Sequence, residues 1–259
     1  MKDVLEEIIA YKILEVARQK QVVSIAEMEK RCFEEASALS MSKSLLASSS
    51  GIISEFKRRS PSKGWIKECA DASVIPADYG KNGASAISIL TDSHFFGGSL
   101  DDILTARHSV NVPILRKDFI IDEYQIYQAK SAGANAILLI AAALPLGECK
   151  ELAAKARELG LEVLLEIHSR DEIKYISDNV DMIGVNNRNL GTFHTDVGNS
   201  FRLIEYLPKD RVLVSESGIS DAEIVKSLRS VGYRGFLIGE NFMTTDSPGE
   251  SLKQFISRL

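Results

Sequence analysis

Polar side chains close a series of short apolar runs in this chain. Glu55 and Lys57 end GIISEFK, Lys117 ends VPILRK, Glu166 comes late in LEVLLEI, Asn186 ends DMIGVN with Arg188 two further on, and Ser215 and Ser217 end RVLVSES. A lysine ammonium beside carboxylates can polarise and protonate a carbonyl oxygen, and a second carboxylate can carry the proton of a later step. Residues two apart on a strand point to the same side, so Glu55 and Lys57, and likewise Asn186 and Arg188, can enter one mouth together. A single charge at a strand end is often only the place where the chain meets water. Five runs ending this way point instead to an acid-base site.

A phosphate is indicated separately. SESGISD offers Ser217, then Gly218 for close backbone approach, then Ser220 as the cap of a helix, while GENFM places Gly239 and Glu240 where a short helix can begin. Either loop alone could be an ordinary glycine turn. The basic segment KRRSPSKGW, with the only tryptophan, can be a solvated turn or a cover that brings Ser60 and positive charge to an anion; the second reading is favoured. Phe96 and Phe119 sit just past the runs ASAISIL and VPILRK, Leu138 lies in NAILLI and Leu190 follows DMIGVN, and together they can line a flat apolar slot for an aromatic ring. The four histidines show no ligand spacing, so no metal is expected, and His168 is read as a loop histidine.

The elements that must hold these residues follow from periodicity. Eight apolar, β-branched runs (GIISEFK, ASAISIL, VPILRK, NAILLI, LEVLLEI, DMIGVN, RVLVSES and GFLIGE) alternate with amphipathic helical stretches such as KELAAKARELG. Such continuous apolarity belongs to parallel strands buried on both faces. An open doubly wound sheet would normally carry G-x-G-x-x-G after an early strand, and none is present. The expectation is a single (β/α)8 barrel over residues 51–259, whose strand C-termini form the catalytic face and whose last two loops hold phosphate. Residues 1–50 are read as a helical extension packed on the barrel. Leu5, Ile8, Ile9, Ile13 and Val16 share one face of its first helix, Ser24 caps a second, and SALSMSKSLLASSS is a connector.

Whole-chain properties agree. The 259 residues are 45% hydrophobic and 26% charged, with a net charge of −5 that is spread along the chain. No basic field for nucleic acid and no membrane-spanning run is present. Cys32, Cys69 and Cys149 show no C-x-x-C spacing, which fits reduced thiols in a cytoplasm. A monomer is expected, since the outer helices carry no obvious extra apolar stripe.

The segments SEFKRRSPSKG, SILTDSHFFGGS, PILRKDFIIDEYQIYQA, LLEIHS, IGVNNRNL, LVSESGIS and FLIGENFM resemble the indole-3-glycerol phosphate synthase family in their order along nearly the whole chain. The resemblance implies a tryptophan-pathway carboxy-lyase that needs no cofactor. It would convert 1-(2-carboxyphenylamino)-1-deoxyribulose 5-phosphate, a phosphorylated aromatic substrate, to indole-3-glycerol phosphate, carbon dioxide and water. It also implies roles: Lys117 as general acid, Glu166 as proton shuttle, and Glu55, Lys57 and Asn186 as a positioning cluster in which Lys57 is a second acid. By the same likeness Arg188 and Lys57 face the substrate carboxylate, and Ser60, Ser217, Gly218, Gly239 and Glu240 bind phosphate. Phe96, Phe119, Leu138 and Leu190 would take the ring. A class I aldolase with a Schiff base on Lys117 and a non-catalytic barrel are the competing readings.

Overall fold

The computed structural model of the protein describes residues 4–32, 39–189, 191 and 193–259. Each of the eight apolar runs is a strand: β1 (Ile52–Phe56), β2 (Ala86–Leu90), β3 (Ile114–Lys117), β4 (Ala136–Ile140), β5 (Glu162–Ile167), β6 (Met182–Asn186), β7 (Val212–Glu216) and β8 (Gly235–Ile238). They pair in parallel in chain order, and β1 closes on β8 through registers such as Ile53 with Leu237. Alternation along each strand then divides the core. Ile53, Ala86, Leu115, Leu138, Leu164, Met182, Val214 and Leu237 fill the interior, one from each strand, whereas Ile52, Ile87, Ile137, Ile183 and Leu213 face the outer helices.

Three helices precede the barrel: α1 (Val4–Val22), α2 (Ile25–Arg31) and α3 (Met41–Ala47). The stripe that α1 buries is Leu5, Ile8, Lys12 and Val16, while Ile13 is exposed, so a lysine takes a place on the apolar face where isoleucine was expected. Each fully buried apolar side chain of that stripe contributes at most about 1.5–3 kcal/mol. Ser24 caps α2 in a reciprocal box with Glu27, as its position before the helix predicts. The serine-rich segment is not a mere connector. It forms α3, whose Met41 and Leu45 join the barrel interior at the starts of the strands. Glu162, at the start of β5, accepts hydrogen bonds from the backbone N–H groups of Met41 and Ser42, placing a carboxylate at the N-terminus of α3.

Outside the barrel run α4 (Ile75–Lys81), α5 (Leu100–Arg107), α6 (Glu123–Ser131), α7 (Leu146–Glu158), α8 (Gly198–Leu203), α9 (Ala222–Val231) and α10 (Pro248–Ile256). The regular β/α repeat lapses once. Between β5 and β6 the chain makes only a 3₁₀ segment, Arg170–Tyr175. No helix among the described residues is long and apolar enough to cross a membrane.

Candidate active site

The C-terminal ends of the strands and their loops enclose a cavity of about 490 Å³, within the range of about 300–1,000 Å³ usual for small-molecule sites. Glu55, Lys57, Ser60, Phe96, Lys117, Phe119, Leu138, Glu166, Asn186, Arg188, Ser217, Gly218, Gly239 and Glu240 all line it. Leu190 lies outside the described residues. Leu5 and Ile8 of α1 line the cavity as well, so the extension forms part of its wall.

The two-residue spacings act as expected. On and just past β1, Lys57 Nζ lies 2.7 Å from Glu55 Oε1. At the end of β6, the Arg188 N–H donates to Asn186 Oδ1 at 2.9 Å, which ties the turn to the strand. Lys117, at the last position of β3, reaches across the barrel to two carboxylates: Glu166 Oε2 at 3.3 Å and Glu216 Oε2 at 3.5 Å. Burial would lower the pKa of this lysine, but Glu166, Glu216 and Glu55 outweigh it and hold the ammonium above the ordinary lysine range.

The two carboxylates beside Lys117 are driven apart. Burial opposes ionisation of Glu166, yet Lys117, His168 and Asn186 prevail and hold it well below the usual carboxylate range. Burial dominates at Glu216; against the attraction of Lys117, and helped by Glu166 and Glu55, it pushes that carboxyl up to about 7. An ionised and a near-neutral carboxyl on one ammonium can accept and supply protons near neutral pH.

Polar groups suited to an anion gather on the loops after β7 and β8. Ser217 and Gly218 both adopt positive φ, 68° and 78°, so the chain turns sharply and brings backbone to the cavity wall. Gly239 precedes the short helix Glu240–Met243. The Ser60 hydroxyl is buried at the cavity wall and has no hydrogen-bond partner among the described residues. The strand-one loop has its own structure: Arg59–Ser60 pairs with Gly64–Trp65 as a small hairpin, Ser60, Pro61 and Ser62 line the cavity, and Lys63 forms an ion pair with Glu240 of the loop after β8. Apolar residues occupy another part of the wall, where the Phe96 and Phe119 rings lie 6.0 Å apart beside Leu138.

Expectations change at Ser215 and Ser220. Ser215 points outward, where its hydroxyl accepts from Asn187 Nδ2 at 3.1 Å and lies 2.8 Å from that of Ser200. Between Ser215 and Ser217, Glu216 faces inward instead, as alternation from Val214 requires, and Ser217 regains the cavity only through its left-handed backbone. Asp221, not Ser220, caps α9. His168 lies in the loop just past β5, as expected, but its side chain is largely buried against Glu166. A further buried group, Lys12 of α1, makes ion pairs of 2.9 Å with Asp92 and Asp118 in the loops after β2 and β3. Asp118 follows Lys117 directly, so this cage ties α1 to the strand end that carries the central lysine.

A family model described as indole-3-glycerol phosphate synthase matches residues 5–255. The chain is 63% identical over 259 residues to a protein of that name from Bacteroides thetaiotaomicron, covering 100% of both. It is 44% identical over 261 residues to one of the same name from Aliarcobacter butzleri, covering 99% of each. Among solved structures, 3-hexulose-6-phosphate synthase from Salmonella typhimurium superposes with a TM-score of 0.63 at 12% identity, over 81% of this chain and 98% of that one. A mutant tryptophan synthase alpha-subunit from Pyrococcus furiosus gives 0.60 at 17% identity, over 81% and 97%. At such low identity the two structures speak for the barrel fold alone.

Proposed function

The chain belongs to the indole-3-glycerol phosphate synthase family, and from that premise we propose that its cavity closes the indole ring of 1-(2-carboxyphenylamino)-1-deoxyribulose 5-phosphate. The observation that carries the assignment of roles is Lys117 held as an ammonium between Glu166 and Glu216 at the centre of the cavity. The substrate phosphate lies against Ser60, Ser217, Gly218 and the backbone of Gly239 and Glu240. Its ring packs on Phe96, Phe119 and Leu138, and its carboxylate faces Lys57 and Arg188. This division uses each part of the wall for the group it suits.

Chemistry follows from that placement. The ring carbon bearing the carboxylate attacks the ketone carbon, and Lys117 gives a proton to the oxygen as negative charge develops there. Carbon dioxide then leaves, and the electron pair of its bond restores the aromatic ring. In the last step the new hydroxyl, protonated by Lys57 or by Lys117 once it has regained a proton from solvent, departs as water. The adjacent CH₂ carbon loses a proton to ionised Glu166, which completes the indole double bond.

A Schiff base on Lys117 would need a neutral amine, which the three surrounding carboxylates oppose. The proposal includes a monomer in the cytoplasm, its oligomeric state open to light scattering. Supplying the carboxyphenylamino-deoxyribulose phosphate and following indole fluorescence tests the activity; a folded protein that yields no indole product would refute it.

A further inference from the structure

We propose that His168, clamped by Glu172, is a positioning residue that holds one oxygen of Glu166 so that the other stays on Lys117. The geometry runs in a line. Glu172 Oε2 accepts the backbone N–H of His168 at 2.6 Å and lies 3.6 Å from its Nδ1. His168 Nε2 lies 3.3 Å from Glu166 Oε1, and Glu166 Oε2 lies 3.3 Å from Lys117 Nζ. His168 does not line the cavity, so it acts on substrate only through Glu166.

The clamp occupies the one place where the barrel abandons its helix. The 3₁₀ segment Arg170–Tyr175 turns immediately after β5 and returns Glu172 to the histidine. A packed neighbour completes the enclosure: Asn199 of α8 donates from Nδ2 to the carbonyl oxygens of His168 and, more weakly, Asn186. The charged and polar groups facing Glu166 are Lys117 from β3, Asn186 from β6, His168 and, on the far side of the Lys117 ammonium, Glu216 from β7; those facing His168 are Glu166 and Glu172. Burial opposes the imidazolium, but the two carboxylates outweigh it and raise its pKa to about 10. Both ring nitrogens then carry protons and each faces a carboxylate. With Oε1 facing the imidazolium, Glu166 has neither a reason to rotate nor to take up a proton before the step that calls on it.

The inference rests on the reading of Glu166 as a proton carrier, and its test separates the two. Imidazole NMR of the intact protein needs no turnover: the His168 ring is expected to stay doubly protonated past pH 8, and in Glu172→Gln its titration midpoint falls toward the ordinary value. Steady-state kinetics across pH then probe the consequence. In His168→Ala, kcat is expected to fall at least about tenfold with KM within about twofold, and the acid limb of the kcat profile to move to higher pH. His168→Gln, which keeps one N–H donor toward Glu166, recovers part of that loss. Three results would overturn the proposal: a wild-type ring that titrates with the ordinary value, a folded His168→Ala with an unmoved kcat and pH profile, or a loss of kcat that merely follows the loss of folded protein. Absence of wild-type turnover would instead strike the catalytic reading, leaving the NMR result to judge the clamp.

Discussion

Glu216 occupies the space that a side chain on Gly184 would fill. A Cβ built at Gly184 of β6 meets Glu216 Oε1 far inside van der Waals contact, with Leu164 behind it. The bare backbone of one strand is therefore what lets the carboxylate of the next lie beside Lys117.

The expected outcome for Gly184→Ala follows directly. Glu216 must swing off Lys117 or the strands must part, at a cost of about 1–3 kcal/mol. The unfolding temperature and kcat should both fall, and Glu216→Ala in the same background, which removes the clashing carboxylate, should recover stability. A variant with unchanged kcat would contradict the close approach.

Protonation of Glu216 sets a pH signature. Its pKa rises from 4.5 in the unfolded chain to about 7 in the fold, so the folded state keeps a proton that the unfolded state has lost. Stability is unaffected below 4.5, falls as pH rises through that window, and carries the full penalty above about 7, on the order of 3 kcal/mol. Glu216→Gln removes the penalty, so the variant should gain on the wild type between pH 4.5 and 8 in urea unfolding. A difference that stays constant with pH would rule this out.

Lys12 gives a test of the extension. Lys12→Met leaves Asp92 and Asp118 buried without their shared cation, which costs about 3–5 kcal/mol. Because Leu5 and Ile8 of the same helix line the cavity, KM should rise as α1 loosens. An unaltered KM in a destabilised protein would show that α1 does not shape the site.

The anion end is tested at Gly218. Its φ of 78° and the 2.7 Å approach of a built Cβ to Thr195 Cγ2 forbid alanine without a shift of the turn. Gly218→Ala should raise KM by about tenfold, the equivalent of roughly 1.4 kcal/mol, with kcat nearly retained. A loss confined to kcat would move the phosphate elsewhere.

The division between what the sequence revealed and what it hid has physical causes. Strands buried on both faces must be apolar throughout, so all eight were legible as runs, and the polar residues that end them stood out by contrast. Lys117, Glu166, Glu55 and Lys57 were found in that way. Glu216 was not, because Ser217 reaches the cavity by a positive φ that strand alternation does not anticipate. Lys12 hid in an apolar helical stripe, where its partners are contributed by loops about 80 and 106 residues further along the chain. His168 gained its environment from a 3₁₀ turn that no hydrophobic period announces.

The central claim is that Lys117, as an ammonium between two carboxylates, protonates the substrate carbonyl without bonding to it. Lys117→Met keeps most of the length of the side chain and removes the acid. Single-turnover formation of the indole product from the carboxyphenylamino-deoxyribulose phosphate, with and without cyanoborohydride, which at neutral pH reduces an iminium but spares the free ketone, measures this directly. The wild type should turn over at the same rate with cyanoborohydride present and carry no adduct, while Lys117→Met should be slower by about 10²–10⁴. Wild-type rates from a folded Lys117→Met protein, or cyanoborohydride trapping of substrate on Lys117, would contradict it.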